Sequence, residues 1–345
     1  MSAPLLAPWL QSQLGSLLSQ RGNAWLLSGP SGLGQFDLAL ALARAWLCER
    51  PGAAGACGIC SSCHALEVHT HADLCMLLPE TLSIALGWPL DEKTQDDLDN
   101  KKRKPSKEIK VDAARDAVAF TQFTRSRGTT KVVLVFPAER MNSITANTLL
   151  KTLEEPPGAV KFVLATEAAD QLLPTIRSRC LTHTMRWPDF QESLAWLKTM
   201  VGHDSAAPED LHTVLAAAGG RPADALAWMQ GQPLRELAKH WRALPAAMAR
   251  GDAKALADWT PTQAVDALQK LCHDLLATRV GAQPRFFDRV DLPPAASQAS
   301  VAGLHAMTIW SKELAGSART SEHPFNAGLM LEALASRAEL ALGAK

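Results

Sequence analysis

The chain has 345 residues, 47% of them hydrophobic, and its 35 Lys+Arg and 35 Asp+Glu cancel to a formal net charge of zero. That length predicts two or three domains with sizeable cores, and the neutral balance argues against a protein that wraps nucleic acid unaided. No unbroken run of about 18 apolar residues and no basic-then-apolar leader is found, which excludes a membrane span and predicts a cytoplasmic protein.

In chain order, residues 5–20 read as an amphipathic helix, and Ala24–Ser28 as a short buried strand. Gly29-Pro30-Ser31-Gly32-Leu33-Gly34 is a turn, and Gln35 to Cys48 is an Ala/Leu-rich helix. Strand, glycine-rich loop and helix together open a nucleotide-binding α/β unit. A cysteine-rich insert follows, then a buried strand at Leu74–Leu78. Residues 79–108 carry an acidic stretch (Asp91 to Asp99) and the basic run Lys101-Lys102-Arg103-Lys104, which read as a mobile, solvated loop. Val111–Phe123 reads as a helix and Lys131–Phe136 as the clearest strand. Asn142 or Ser143 caps a helix that Pro156-Pro157-Gly158 ends, and Lys161–Thr166 is another apolar strand. Apolar runs alternating with helices predict a parallel sheet covered on both faces. After about Trp187 the strands stop. The remainder is helical, broken at Gly219-Gly220-Arg221-Pro222 and again over residues 283–296. The expected division is an α/β domain at 1–187, a small helical domain at 188–232 and a larger helical domain at 233–345.

Cys48, Cys57, Cys60 and Cys63 are spaced C-x8-C-x2-C-x2-C. In a reducing compartment such clusters read as metal ligands before disulfides. A tetrahedral Zn²⁺ needs ligands of this kind, and four sulfurs with no open position predict a structural site. An iron–sulfur cluster shares the C-x2-C-x2-C spacing, but here the remaining cysteine lies upstream and no Cys-Pro follows. His64, His69 and His71 read as surface or supporting groups, and Cys75, Cys180 and Cys272 as core.

Gly29 to Phe36 has the frame G-x-x-x-x-G-K-[ST], with Gly29, Gly32 and Gly34 in register. The lysine position is Gln35 and the Mg²⁺-binding hydroxyl position is Phe36, so the loop keeps its glycines and loses its chemistry. The strand that should end in a metal-holding Asp runs instead into Phe136-Pro137, with Glu139 displaced along the chain. Two missing parts predict no ATP hydrolysis by this chain.

Asn147-Thr148-Leu149-Leu150-Lys151-Thr152-Leu153-Glu154-Glu155-Pro156-Pro157 resembles a stretch found across clamp-loader AAA+ subunits. Ser178-Arg179-Cys180 resembles their Ser-Arg-Cys motif, Ile109 to Asp112 another family segment, and the cysteine spacing their bacterial zinc module. Broken nucleotide motifs beside an intact Ser-Arg-Cys are similar to the delta-prime branch of the DNA polymerase III clamp-loader family rather than to the ATP-hydrolysing tau/gamma branch. The dense resemblance covers about residues 24–182, with a weaker similarity at Asn326–Glu339.

The resemblance implies an AAA+ domain with zinc module 48–63, a helical lid and an all-α collar used for oligomerisation. It implies partnership with tau/gamma and delta subunits and, through the complex, with the sliding clamp and primed DNA. ATP would be bound by neighbouring subunits, with Arg179 acting in trans as an arginine finger on ATP held next door. The chain itself would be no ATPase, although the holoenzyme is a DNA-directed DNA polymerase, a nucleotidyltransferase. Thr166 would occupy a vestigial sensor position, and Arg177 and Arg221 receive no role. For Lys151 and Glu154 the sequence leaves contact with a neighbour or DNA open. A divergent ATPase and a zinc-containing nucleic-acid-binding protein are the alternatives.

Overall fold

Residues 6–202, 207–293, 301–321, 323 and 326–343 are described in a computed structural model. Two units divide the chain, at Met1–Pro188 and Asp189–Lys345.

In the first unit the apolar runs become β1 (Ala24–Ser28), β2 (Leu74–Leu77), β3 (Lys131–Val135) and β4 (Val160–Thr166), with β5 (Leu181–Thr184) added at one edge. They form a five-stranded sheet in the order β2-β3-β4-β1-β5, parallel throughout. Interior β3 is buried along its whole length, which is why it reads as continuous Val and Leu rather than as an alternation. The anticipated strand at Leu74–Leu78 is an edge strand, half-buried over its first residues. Leu181–Thr184 adds a strand that no apolar run announces: it is largely exposed and polar, and it pairs with β1.

Helices α1 (Pro8–Leu18), α2 (Gln35–Leu47), α6 (Val111–Gln122) and α7 (Ser143–Glu154) belong to this unit, with the short α3 (Ser61–Glu67), α4 (Glu80–Ala85), α5 (Glu92–Asp99) and α8 (Pro174–Arg177) between strands. Asn142 is the residue that caps α7, its side chain accepting from the Thr145 N–H at 2.9 Å. Gln13 of α1 ties that helix to the sheet edge: its Oε1 accepts from His183 Nε2 at 2.9 Å and from the Arg186 N–H at 2.8 Å.

Residues 79–108 are not the plain loop that their charge suggests, since α4 and α5 lie within them. Asp91 caps α5 by accepting from the Thr94 N–H, and one buried carboxylate ties the segment together. Glu80, 7% exposed, accepts from Arg103 Nη2 at 2.9 Å, from the Ser106 N–H at 2.8 Å and from Lys110 Nζ at 2.6 Å. Against a burial that opposes ionisation, these partners draw the Glu80 carboxyl down from 4.5 to about 2.

The second unit is helical among the described residues: α9 (Phe190–Val201), α10 (Pro208–Ala217), α11 (Pro222–Met229), α12 (Leu234–Met248), α13 (Pro261–Arg279), α14 (Val301–Thr320) and α15 (Ala327–Gly343). Gly219 and Gly220 take positive φ between α10 and α11, the break anticipated there. Leu197, Val214, Leu215 and Ala238 belong to one apolar cluster and Trp241, Leu268, Trp310 and Ala335 to another. The break after α13 begins where anticipated, and its stretch 294–296 lies outside the described residues. Asp274, fully buried, gathers the start of that break by accepting from the backbone N–H groups of Arg285, Phe286 and Phe287 at 2.9, 2.7 and 2.9 Å.

Candidate functional site

The carboxyl ends of parallel strands are where a sheet of this kind presents its loops to a ligand. Here β1 delivers Gly29–Gly34, β3 delivers Phe136 and β4 ends at Thr166. Gly32 and Gly34 have φ of 77° and 90°, left-handed backbone that a side chain resists. A Cβ on Gly34 would also meet Leu10 Cδ1 of α1 at 2.7 Å. The glycines therefore shape a tight loop packed under α1.

The lysine position is turned inward. Gln35 is 2% exposed, and its Nε2 donates to the carbonyls of Gly29 and Pro30, both at 2.6 Å. Trp9 Nε1 donates to the Leu33 carbonyl at 3.0 Å. At the hydroxyl position Phe36 packs against Phe136, the residue at the missing acid, with ring centroids 5.3 Å apart. Two apolar rings thus meet where a metal ion would need oxygen ligands. The displaced Glu139 is engaged elsewhere: its carboxylate accepts from Thr166 Oγ1 at 2.7 Å and from the Glu167 N–H at 3.1 Å.

Arg179 lies toward the opposite end of the strands, before edge strand β5. It follows α8 and precedes Leu181, the first residue of β5, which pairs with Trp25 near the start of β1. The phosphate loop leaves the far end of β1, after Ser28. At about 3.3 Å per residue, the strand separates the two by roughly 10 Å before loop and side-chain lengths are added. The arginine is held by its own chain. Nε and Nη2 donate to Glu154 Oε2 at 3.1 and 2.9 Å, and Nη1 donates to the Thr175 carbonyl at 3.1 Å. Its side chain keeps 29% of its exposure. Glu154, the last residue of α7, thus contacts the Ser-Arg-Cys segment of its own chain. Lys151 and Arg177 are exposed, and Arg221 pairs with Asp224 at 3.1 Å.

The cysteines form the second constellation. Cys48 caps the C-terminus of α2 and Cys60 the N-terminus of α3, while Gly55 and Gly58 take positive φ between them. The four sulfurs lie within 4.8 Å of one another. The separations Cys48–Cys60, Cys57–Cys63 and Cys48–Cys63 are 3.8, 4.0 and 3.7 Å. A tetrahedron with metal–sulfur bonds near 2.3 Å has an edge of about 3.8 Å, so the donor set fits a metal such as zinc. Backbone N–H groups of Arg50 and Cys57 point at Cys48 Sγ, at 3.4 and 3.2 Å, as they do around a bound thiolate. Burial and the neighbouring thiol of Cys60 push Cys63 up to about 12, so a shared cation is what would hold all four as thiolates. Outside the cluster, Glu49 accepts from the hydroxyls of Ser61 and Ser62 at 2.6 and 3.1 Å and so staples the module shut.

His69 and His71 are engaged by other partners. His69 stacks on Trp88 at 3.8 Å, and His71 accepts from the Asp73 N–H at 3.1 Å. Cys272 is buried, and Cys75 and Cys180 are half-buried and packed on the core of the first unit. No helix among the described residues is long and apolar enough to cross a membrane.

The family model described as "DNA polymerase III, delta subunit" matches residues 10–188. A Pseudomonas aeruginosa protein named DNA polymerase III subunit delta' is 40% identical over 232 residues, 66% of this chain and 62% of that protein. The Escherichia coli protein of the same name is 32% identical over 280 residues, 77% of this chain and 76% of the relative. The E. coli DNA polymerase III subunit tau is 31% identical over 214 residues, 61% of this chain and 29% of tau. The match therefore spans less than two thirds of the P. aeruginosa relative's length.

Proposed function

Because the chain belongs to the delta-prime family of DNA polymerase III subunits, we propose that it is a non-hydrolysing member of a clamp loader that lends Arg179 to the ATP site of a neighbouring tau/gamma subunit. The observation that carries this reading is the position of Arg179 just before the start of β5, at the opposite end of the strands from its own phosphate loop. Held at that end by Glu154 and Thr175, the arginine is engaged away from its own loop, and a guanidinium offered from outside is what a γ-phosphate needs as charge develops on it. The cis loop supports the same division of labour. Gln35 brings neither charge nor reach, and Phe36 and Phe136 bring no metal ligand.

In this reading the cysteine module carries a structural Zn²⁺ that fixes the α2–α3 corner. Residues 188–232 act as the helical lid and 233–345 as the collar through which the tau/gamma, delta and delta-prime subunits assemble. The assembled complex, rather than this neutral chain, holds the sliding clamp and the primer–template.

The test is ATP turnover by a reconstituted loader with primed DNA and clamp. The parent chain is expected to be inert alone. Arg179→Ala is expected to assemble normally and to slow the complex by roughly tenfold up to about 10³-fold. Equal turnover of parent and variant complexes would remove the trans role. Hydrolysis by the isolated chain would favour a divergent ATPase instead.

A further inference from the structure

We propose that Glu154 is the positioning residue for Arg179: it fixes the plane and direction of the guanidinium, so that its outer edge is presented to a γ-phosphate on the neighbouring subunit. The inference rests on the trans role of Arg179 proposed above and adds to it the group that aims the side chain.

The N–H groups of a guanidinium lie in one plane and point in fixed directions. Glu154 Oε2 takes the Nε–Nη2 edge, at 3.1 and 2.9 Å. The Thr175 carbonyl takes one N–H of Nη1, at 3.1 Å. Each terminal nitrogen keeps a second N–H, and such paired donors match two phosphate oxygens. One edge and one terminal nitrogen are tied down, and a donor on each terminal nitrogen is left over. A free arginine would lose several rotors' worth of entropy on reaching a ligand, and an anchored one has already lost it.

The placement of Glu154 points the same way. It is the last residue of α7, and Glu155 follows it. A carboxylate at a helix C-terminus faces the negative end of the helix dipole, so its position there works against the helix unless a cation answers it. Arg179 is that cation, from a segment 25 residues further along the chain.

The experiment is steady-state ATP turnover of the reconstituted loader with Glu154→Ala, Glu154→Gln, Arg179→Ala and the double variant Glu154→Ala/Arg179→Ala. Glu154→Ala is expected to lower kcat by about 5- to 10-fold with KM for ATP within about twofold. Glu154→Gln keeps an acceptor oxygen and is expected to recover most of the loss. The double variant is expected to match Arg179→Ala alone, because Glu154 acts only through the arginine. Parent-like or faster turnover of Glu154→Ala, beside a slow Arg179→Ala, overturns the positioning role and leaves the finger standing. So does a double variant whose losses add. An Arg179→Ala complex as fast as the parent removes the finger itself, a different failure. Glu154 is exposed, and unchanged melting of the variants separates aim from folding.

Discussion

The phosphate loop and the cysteine module both begin as short motifs of fixed spacing, and they end in opposite conditions. In the module all four motif residues gather around a common centre, with their sulfurs within 4.8 Å of one another and backbone N–H groups directed at Cys48. In the loop the glycines still build the turn, but the residues at the two chemical positions are turned to the protein's own use. Gln35 bonds the loop's carbonyls and Phe36 packs on Phe136. A motif's frame is set by backbone geometry and can outlast its chemistry. Its chemistry is legible only when the donor atoms are checked one by one.

The largest expected effect bears on the module. Parent protein should carry one zinc ion per chain by elemental analysis. Cys60→Ser should lose it and melt about 10 °C lower, on the scale of roughly 3–5 kcal/mol for a dismantled metal site. A variant that keeps its melting point would mean that the module closes without an ion.

An acid titration probes a region outside both motifs. The Glu80 carboxyl is held below its unfolded value, so its contribution to stability is present above pH 4.5 and is lost as pH falls toward about 2. Glu80→Gln should flatten that part of a stability–pH curve while leaving zinc content unchanged.

Smaller effects bear on the loop. Phe36→Ala opens a ring contact on a half-buried residue and should cost about 1–3 kcal/mol in chemical denaturation. Gln35→Ala leaves the Gly29 and Pro30 carbonyls without their donor and should cost about 1 kcal/mol. Gln35→Lys/Phe36→Thr restores the K-[ST] pair of the motif but not the acid at Phe136, and it should show no ATP turnover. Turnover in that variant would mean that the frame needs only those two residues.

What was legible in the sequence was local. The loop's glycines, the cysteine spacing, the strands β1, β3 and β4 and the break at Gly219–Gly220 all show within a few residues of chain. What was hidden depends on partners far along the chain. Glu154 and Arg179 are 25 residues apart, and Glu139 and Thr166 are 27, with no periodic pattern to link them. β5 escaped because an exposed edge strand has no apolar run to announce it. Residues 79–108 were misread because composition counts charges and not their pairing, and a single buried glutamate gathers Arg103 and Lys110 there.

We propose a nucleotide site that is filled in cis and an arginine that serves in trans. The most direct measurement is calorimetric titration of Mg·ATP into the isolated chain, followed by an assay of the same sample for released phosphate. The account predicts no saturable metal-dependent binding and no turnover. Stoichiometric Mg²⁺-dependent binding with phosphate release would contradict it, because Gln35, Phe36 and Phe136 would then have yielded the site to the ligand.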